Sequence, residues 1–155
     1  MTYLLIKWLH VISSTVLFGT GIGSAFYLLA ASVQRDARVI AAVARYVVIA
    51  DWLFTATTVI LQPLSGGLMM HLAGLPLRTP WLLWSIVLYA VAVACWLPVV
   101  WLQMRMRDLA RHAAEQNAAL PAGYWRAFRY WVALGVPAFL AFVAVFYLMV
   151  VKALP

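Results

Sequence analysis

Hydrophobic residues gather into four long runs: Tyr3 to about Ala31, about Val47 to Ala73, Trp81 to about Gln103, and about Tyr130 to Leu154. Each supplies the roughly 20 apolar residues needed to cross a ~30 Å hydrocarbon core. None alternates with period two in ~10-residue pieces, as barrel strands do. Helices are therefore the conformation that satisfies the backbone inside lipid. The second run is entered from Arg35, Asp36, Arg38 and Arg45, the third leaves through Arg105, Arg107, Asp108 and Arg111, and the fourth is entered from Arg126 and Arg129. Gly74, Pro76 and Pro80 mark a tight turn between the second and third runs. Met104 to Gln116 has a charged face that continues the third helix beyond the membrane, and Pro121 and Gly123 break it before the fourth. Short connections make sequential neighbours antiparallel. The pattern predicts an all-α, integral membrane, up-down four-helix bundle. It forms a single transmembrane domain over residues 1–155, with helices at about 3–31, 39–73, 81–116 and 123–154.

Composition supports the same picture. The chain is 67% hydrophobic and only 10% charged, against about 25% charged residues in a soluble domain. The net charge of +7 does not make a nucleic-acid face, because the basic residues sit at the ends of the apolar runs rather than clustered with aromatics. Eight of the 11 basic residues are Arg side chains in the first and third connections; Lys7, Arg78 and Lys152 lie on the opposite side. The positive-inside rule then puts both termini on the outer, periplasmic side of a bacterial inner membrane. Trp81 and Trp84 at one level, and Tyr124, Trp125, Tyr130 and Trp131 at the other, suit interfacial aromatic belts. The first run is too long for a signal h-region and lacks a cleavage site, so the first helix is expected to remain. The single cysteine, Cys95, lies mid-span as a small packing residue.

Candidate chemistry begins with His10 and Lys7, ionisable residues in the first apolar run. At 100° per residue, Ser14, Leu17, Gly21 and Ser24 fall within about 40° of His10, and Lys7 within about 60°. His10 lies roughly 10 Å along the helix. Two readings stand: an interhelical hydrogen bond to a serine or carbonyl, or an axial ligand to haem, for which a neutral imidazole in an apolar bundle is suited. On the far side, Gly19 and Gly23 form a small-xxx-small pair open to another helix or subunit, and so to a homo-oligomer.

The second run carries a polar stripe of Asp51, Thr55, Thr58, Gln62, Gly66 and Met69, which is expected to face inward. Pro63 removes an amide donor, frees a carbonyl and is expected to kink the helix. Asp51 reads as an interfacial partner for Arg45 or as a proton relay. Gln62 reads as an interhelical hydrogen bonder or as a ligand. His71, at the outer end of this run, is a second ligand candidate, though it lies roughly opposite the polar stripe. Met69 is a weaker one, for a His/Met pair. His112 belongs to the extramembrane extension. No motif for nucleophilic catalysis, phosphate binding or zinc is evident.

The run Tyr3-Leu-Leu-Ile-Lys7-Trp-Leu-His10-Val-Ile, followed by Phe18-Gly19 and Phe26-Tyr27-Leu28, resembles the first helix of HemJ-type protoporphyrinogen oxidases. In those proteins a Lys-x-Leu-His motif opens a small haem-b-binding bundle. Most of the chain is similar to a bacterial family of four-helix integral membrane proteins of unknown function, in which Gln62-Pro63-Leu-Ser-Gly66 and Pro80-Trp81 match recurring motifs. The resemblance implies that His10 binds haem b. It departs from the HemJ pattern in the second helix, where Gln62-Pro63 stands in place of a Lys and a Thr-Pro element.

The leading expectation is a small haem b protein with a redox or electron-transfer role. His10 is the axial ligand; the second ligand is left unassigned, with His71, or more weakly Met69, as candidates and an exposed interfacial His71 as the plainer reading. Lys7 or Arg78 pairs with a propionate, and Gly21 and Gly66 give clearance to the macrocycle near Gln62. A quinone, a membrane dehydrogenase or a respiratory component is the expected partner. A HemJ-like oxidase and a non-catalytic membrane subunit or small transporter bundle without haem are the alternatives, and whether the chain is an enzyme stays open.

Overall fold

The computed structural model describes residues 1–152, and every regular element among them is helical. Helix α1 spans Thr2–Gln34. Helices α2 (Ala37–Ala50) and α3 (Ala56–Leu72) form one rod, joined by a π-helical turn at Asp51–Thr55. Helix α4 spans Pro80–Glu115 and α5 spans Ala122–Val151. The four rods are long and apolar enough to cross a membrane. The expected helices are present with ends displaced by a few residues. The sequence expectation of a last helix reaching 154 lies partly outside the described residues.

Local chemistry explains the breaks. Arg35 takes a left-handed conformation (φ 58°), and its amide bonds the Ser32 carbonyl. The next residue, Asp36, accepts from the backbone amides of Arg38 (2.8 Å) and Val39 (3.4 Å), which opens α2. Gly74, at φ 63°, ends the turn after α3, a conformation that costs glycine nothing. Pro80 starts α4, where its missing amide hydrogen is not needed.

The two halves of the bundle are held differently. At the Arg-rich end, Leu28, Ala31, Ile40, Ala44, Met106, Ala110 and Ala127 form a continuous buried core. The alanines let helix backbones approach closely, the usual device where lipid removes a hydrophobic drive for helix association. Tyr124 is fully buried there. The Ser32 hydroxyl donates to the Leu28 carbonyl at 2.7 Å, so the Tyr124 hydroxyl, 2.7 Å away, donates to Ser32. Arg38 bonds Asn117 across the same end, and Arg35 lies over the Trp125 ring. At the other half α1 packs on α3 and α4 packs on α5. Phe18 joins the two pairs through Phe139, Phe142 and Phe146, with ring centroids 5.0–6.5 Å apart.

The proline expectation is resolved in detail. Helix α3 runs on through Pro63. The carbonyl four residues earlier, at Val59, loses its helical donor. The Tyr89 hydroxyl from α4 takes that place, donating at 2.6 Å. The phase slip of this rod comes one helical stretch earlier, at the π-turn, where the Ala56 amide bonds the Asp51 carbonyl. Among the described residues, no neighbour lies within reach of a Cβ at Gly19 or Gly23, so that face stays open to lipid or another chain.

Tyr124→Phe removes the hydroxyl that ties α5 to α1 while keeping the ring, and is expected to cost about 1 kcal/mol. Tyr124→Ala also opens a cavity, at about 3–5 kcal/mol. Unfolding of the detergent-solubilised protein in rising SDS measures both; equal losses would show that the ring packing contributes nothing.

Candidate functional site

His10 sits on the α1 face that packs against α3. Its Nδ1 lies 2.8 Å from the Ser65 hydroxyl oxygen. Ser65 has one hydrogen to give, and its oxygen lies 2.6 Å from the Leu61 carbonyl, one turn back on its own helix. A hydroxyl that already donates to a carbonyl accepts from its other neighbour. The network therefore assigns the proton of neutral His10 to Nδ1, leaving the Nε2 lone pair free.

The surroundings hold the ring in place. The Gln62 amide nitrogen donates to the His10 carbonyl (2.9 Å) and to the Ser13 hydroxyl (2.6 Å). Ser13 in turn donates to the His10 carbonyl at 3.1 Å. Gln62 thus uses both amide hydrogens to fasten α3 to α1 beside the histidine. A Cβ at Gly66 would stand 3.4 Å from His10 Cε1, at van der Waals contact, so the imidazole lies beside the α3 backbone at this glycine. The ring lies beside Gly66 and one nitrogen is bonded.

The sequence-predicted residues divide into those that join His10 and those that do not. Gln62 and Gly66 join it, Gln62 through the backbone carbonyl rather than the ring. Met69 is half-buried further along α3. His71 is exposed. It follows Gln62 by nine residues, about 180° around the helix, and α3 continues through Pro63 without turning it inward. His71 is not brought to His10, in keeping with its place opposite the polar stripe. Lys7 is exposed although it shares the arc of His10, because its ammonium gains more from water near the helix end than from burial. Arg78 is exposed in the α3–α4 turn. Gly21 does not approach His10. It lines a separate cavity deeper in the spans, together with Asp51.

Two serines complete this cluster. Ser13, not Ser14, meets α3; the Ser14 hydroxyl turns back to the Val11 carbonyl of its own helix at 2.8 Å. Ser65 lies three residues after Gln62, a spacing that does place it on the same face. Asp51 is buried and accepts from the Thr55 hydroxyl at 3.0 Å rather than pairing with Arg45, which is exposed. The groups able to hold a ligand are therefore the free Nε2 of His10 and, apart from it, the polar wall around Asp51. No group of three or more His, Cys, Asp or Glu capable of holding a metal occurs among the described residues.

Gln62→Leu deletes both links from α3 to α1 and is expected to cost about 1–2 kcal/mol; Ser65→Ala costs about 1 kcal/mol or less. SDS unfolding of the two variants orders them, and a Gln62→Leu protein as stable as the parent would show that the clasp does not hold the helices.

Searches of curated proteins and of solved structures give no match. Nothing in the comparisons points to the HemJ-type oxidases. The profile described as "Predicted integral membrane protein (DUF2269)" matches residues 4–153, nearly the whole chain, and the protein belongs to that family.

Proposed function

We propose that this protein is a small haem-b-binding component of the bacterial inner membrane with a redox role, and that His10 is the axial ligand. The observation that supports the reading is the assigned tautomer. Nδ1–H is held by Ser65 and Nε2 is left with its lone pair, the arrangement in which a second hydrogen bond orients a ligating imidazole and raises its basicity. The residues present fit such a group on the ligand side. Ser65 holds one ring nitrogen, Gly66 leaves the space beside the ring without a side chain, and Gln62 ties α3 to α1. Haem b, when bound, supplies a one-electron couple. Lys7 and Arg78 at the same end are the proposed partners of its carboxylates. Because His71 is exposed and turned away, the proposed site has a single histidine ligand. Electron exchange then falls to a partner in the bilayer, of which a lipid-soluble quinone or a membrane dehydrogenase is the simplest.

The eight Arg of the first and third connections are proposed to face the cytoplasm, with His10 in the periplasmic half.

A second reading has its own support. His10 Nδ1, Ser65, Ser13 and both amide hydrogens of Gln62 find partners within α1 and α3. Such a cluster also serves as a structural clasp in a non-catalytic subunit or small transporter bundle.

The visible spectrum of protein purified after haem-replete expression separates the two. The haem reading expects a Soret band that shifts on reduction, is lost in His10→Ala and survives in His71→Ala. No band in the parent protein overturns it. The clasp reading expects His10→Ala to lower stability and leave spectra unchanged. For the topology, a cysteine at Leu75 in a Cys95→Ala background is expected to react with an impermeant maleimide in spheroplasts, and one at Asp36 only after lysis. The reverse pattern would invert the orientation.

A further inference from the structure

Four buried side-chain polar atoms have no hydrogen-bond partner among the described residues: Asp51 Oδ2, Gln103 Oε1, Trp96 Nε1 and Trp131 Nε1. They come from three rods, yet all four residues line one cavity of about 420 Å³. Asp51 is 3% exposed, Gln103 4% and Trp131 6%. An unpaired polar atom away from water costs about 1–3 kcal/mol, and the residues that carry these four all border one space, which points to a ligand that draws the atoms into pairing. The π-turn helps to build this wall, since Asp51 and Thr55 stand at its two ends and both face the cavity. Such turns concentrate at functional sites.

The shape and chemistry of the space narrow the ligand. On α1, Ile22, Phe26 and Leu29 line the cavity and are also exposed, as are Val132, Val136 and Phe139 on α5. The cavity therefore opens sideways between α1 and α5 onto the hydrocarbon of the bilayer, through an apolar portal suited to an alkyl or isoprenoid tail. Asp51 is the one titratable residue among those lining it, and no Lys, Arg or His faces in. A phosphate or carboxylate head would meet an uncompensated acid, which rules against phospholipids and fatty acids. The lining residues carry two indole donors, on α4 and α5, and two acceptor oxygens, at the π-turn and on α4. Trp96, Trp131 and Phe142 add aromatic surface. A neutral flat ring with two hydrogen-bonding oxygens satisfies this set: its carbonyls accept from the indoles, and its hydroxyls, when reduced, donate to Asp51 and Gln103.

We infer that this cavity binds the head group of a lipid-soluble quinone or quinol, which enters from the bilayer between α1 and α5. His10 does not line the space, so the inference stands apart from haem binding.

The test titrates decylubiquinone into the full-length protein in nanodiscs and follows tryptophan fluorescence. Decylbenzene serves as a tail-only control and hexadecanol as a one-oxygen control. Gly135 lines the cavity, and a Cβ there meets nothing within 4 Å, so Gly135→Leu fills the space while keeping every tryptophan. Saturable quenching by the quinone is expected in the parent, about tenfold weaker in Gln103→Leu, and absent in Gly135→Leu at an unchanged melting temperature. His10→Ala is expected to bind the quinone as the parent does, whatever its haem content. If Gly135→Leu fails to fold, Gln103→Leu decides alone. Non-saturable quenching, equal affinity for decylbenzene or hexadecanol, or unchanged binding in Gln103→Leu overturns the inference, leaving a cavity for water or lipid chains.

Discussion

Inside the bilayer a polar group has no water to turn to, and the structure depends on how that demand is met. Pro63 strands the Val59 carbonyl, and Tyr89 from the opposite helix pair answers it. Ser32 spends its proton on its own helix and offers its oxygen to Tyr124. Ser65 does the same for His10. In each case a hydroxyl or amide that cannot be hydrated becomes a link between rods. Such bonds are modest singly, about 0.6 kcal/mol on average in membrane proteins, but they are directional, and they set the rotation of one helix against the next.

The same rule makes the exceptions informative. Among the described residues, those whose side-chain polar atoms are left unpaired all line a single cavity. The distribution follows from the packing. Small residues close the helices tightly at the Arg-rich end. Beyond it the chain divides into an α1/α3 pair and an α4/α5 pair joined by aromatic contacts. A bundle closed at one end and divided at the other leaves space between the pairs. The histidine clasp lies within one pair and the cavity between the two. They are separate places with separate chemistry.

Much of the fold was legible in the residues. Long apolar runs, the Gly74 and Pro80 turn and the Arg-rich connections place the rods. The polar face of Asp51, Thr55, Thr58 and Gln62 is buried as its periodicity predicts. His10 and Gln62 stood out because polar groups are costly at that depth. The neighbouring Ser65 and Ser13 did not, since a serine in a membrane helix usually bonds its own backbone, as Ser14 does.

The sequence by itself determined four membrane-length helices, the burial of the α3 polar stripe and the family of the chain, because hydrophobicity and the 3.6-residue period are local properties. Only the tertiary structure decided that His71 stays apart from His10, that Nε2 is the free nitrogen, and that Asp51, Trp96, Gln103 and Trp131 share one cavity. Periodicity sets the angle of a side chain about its own axis. It says nothing of how one axis is rotated against another.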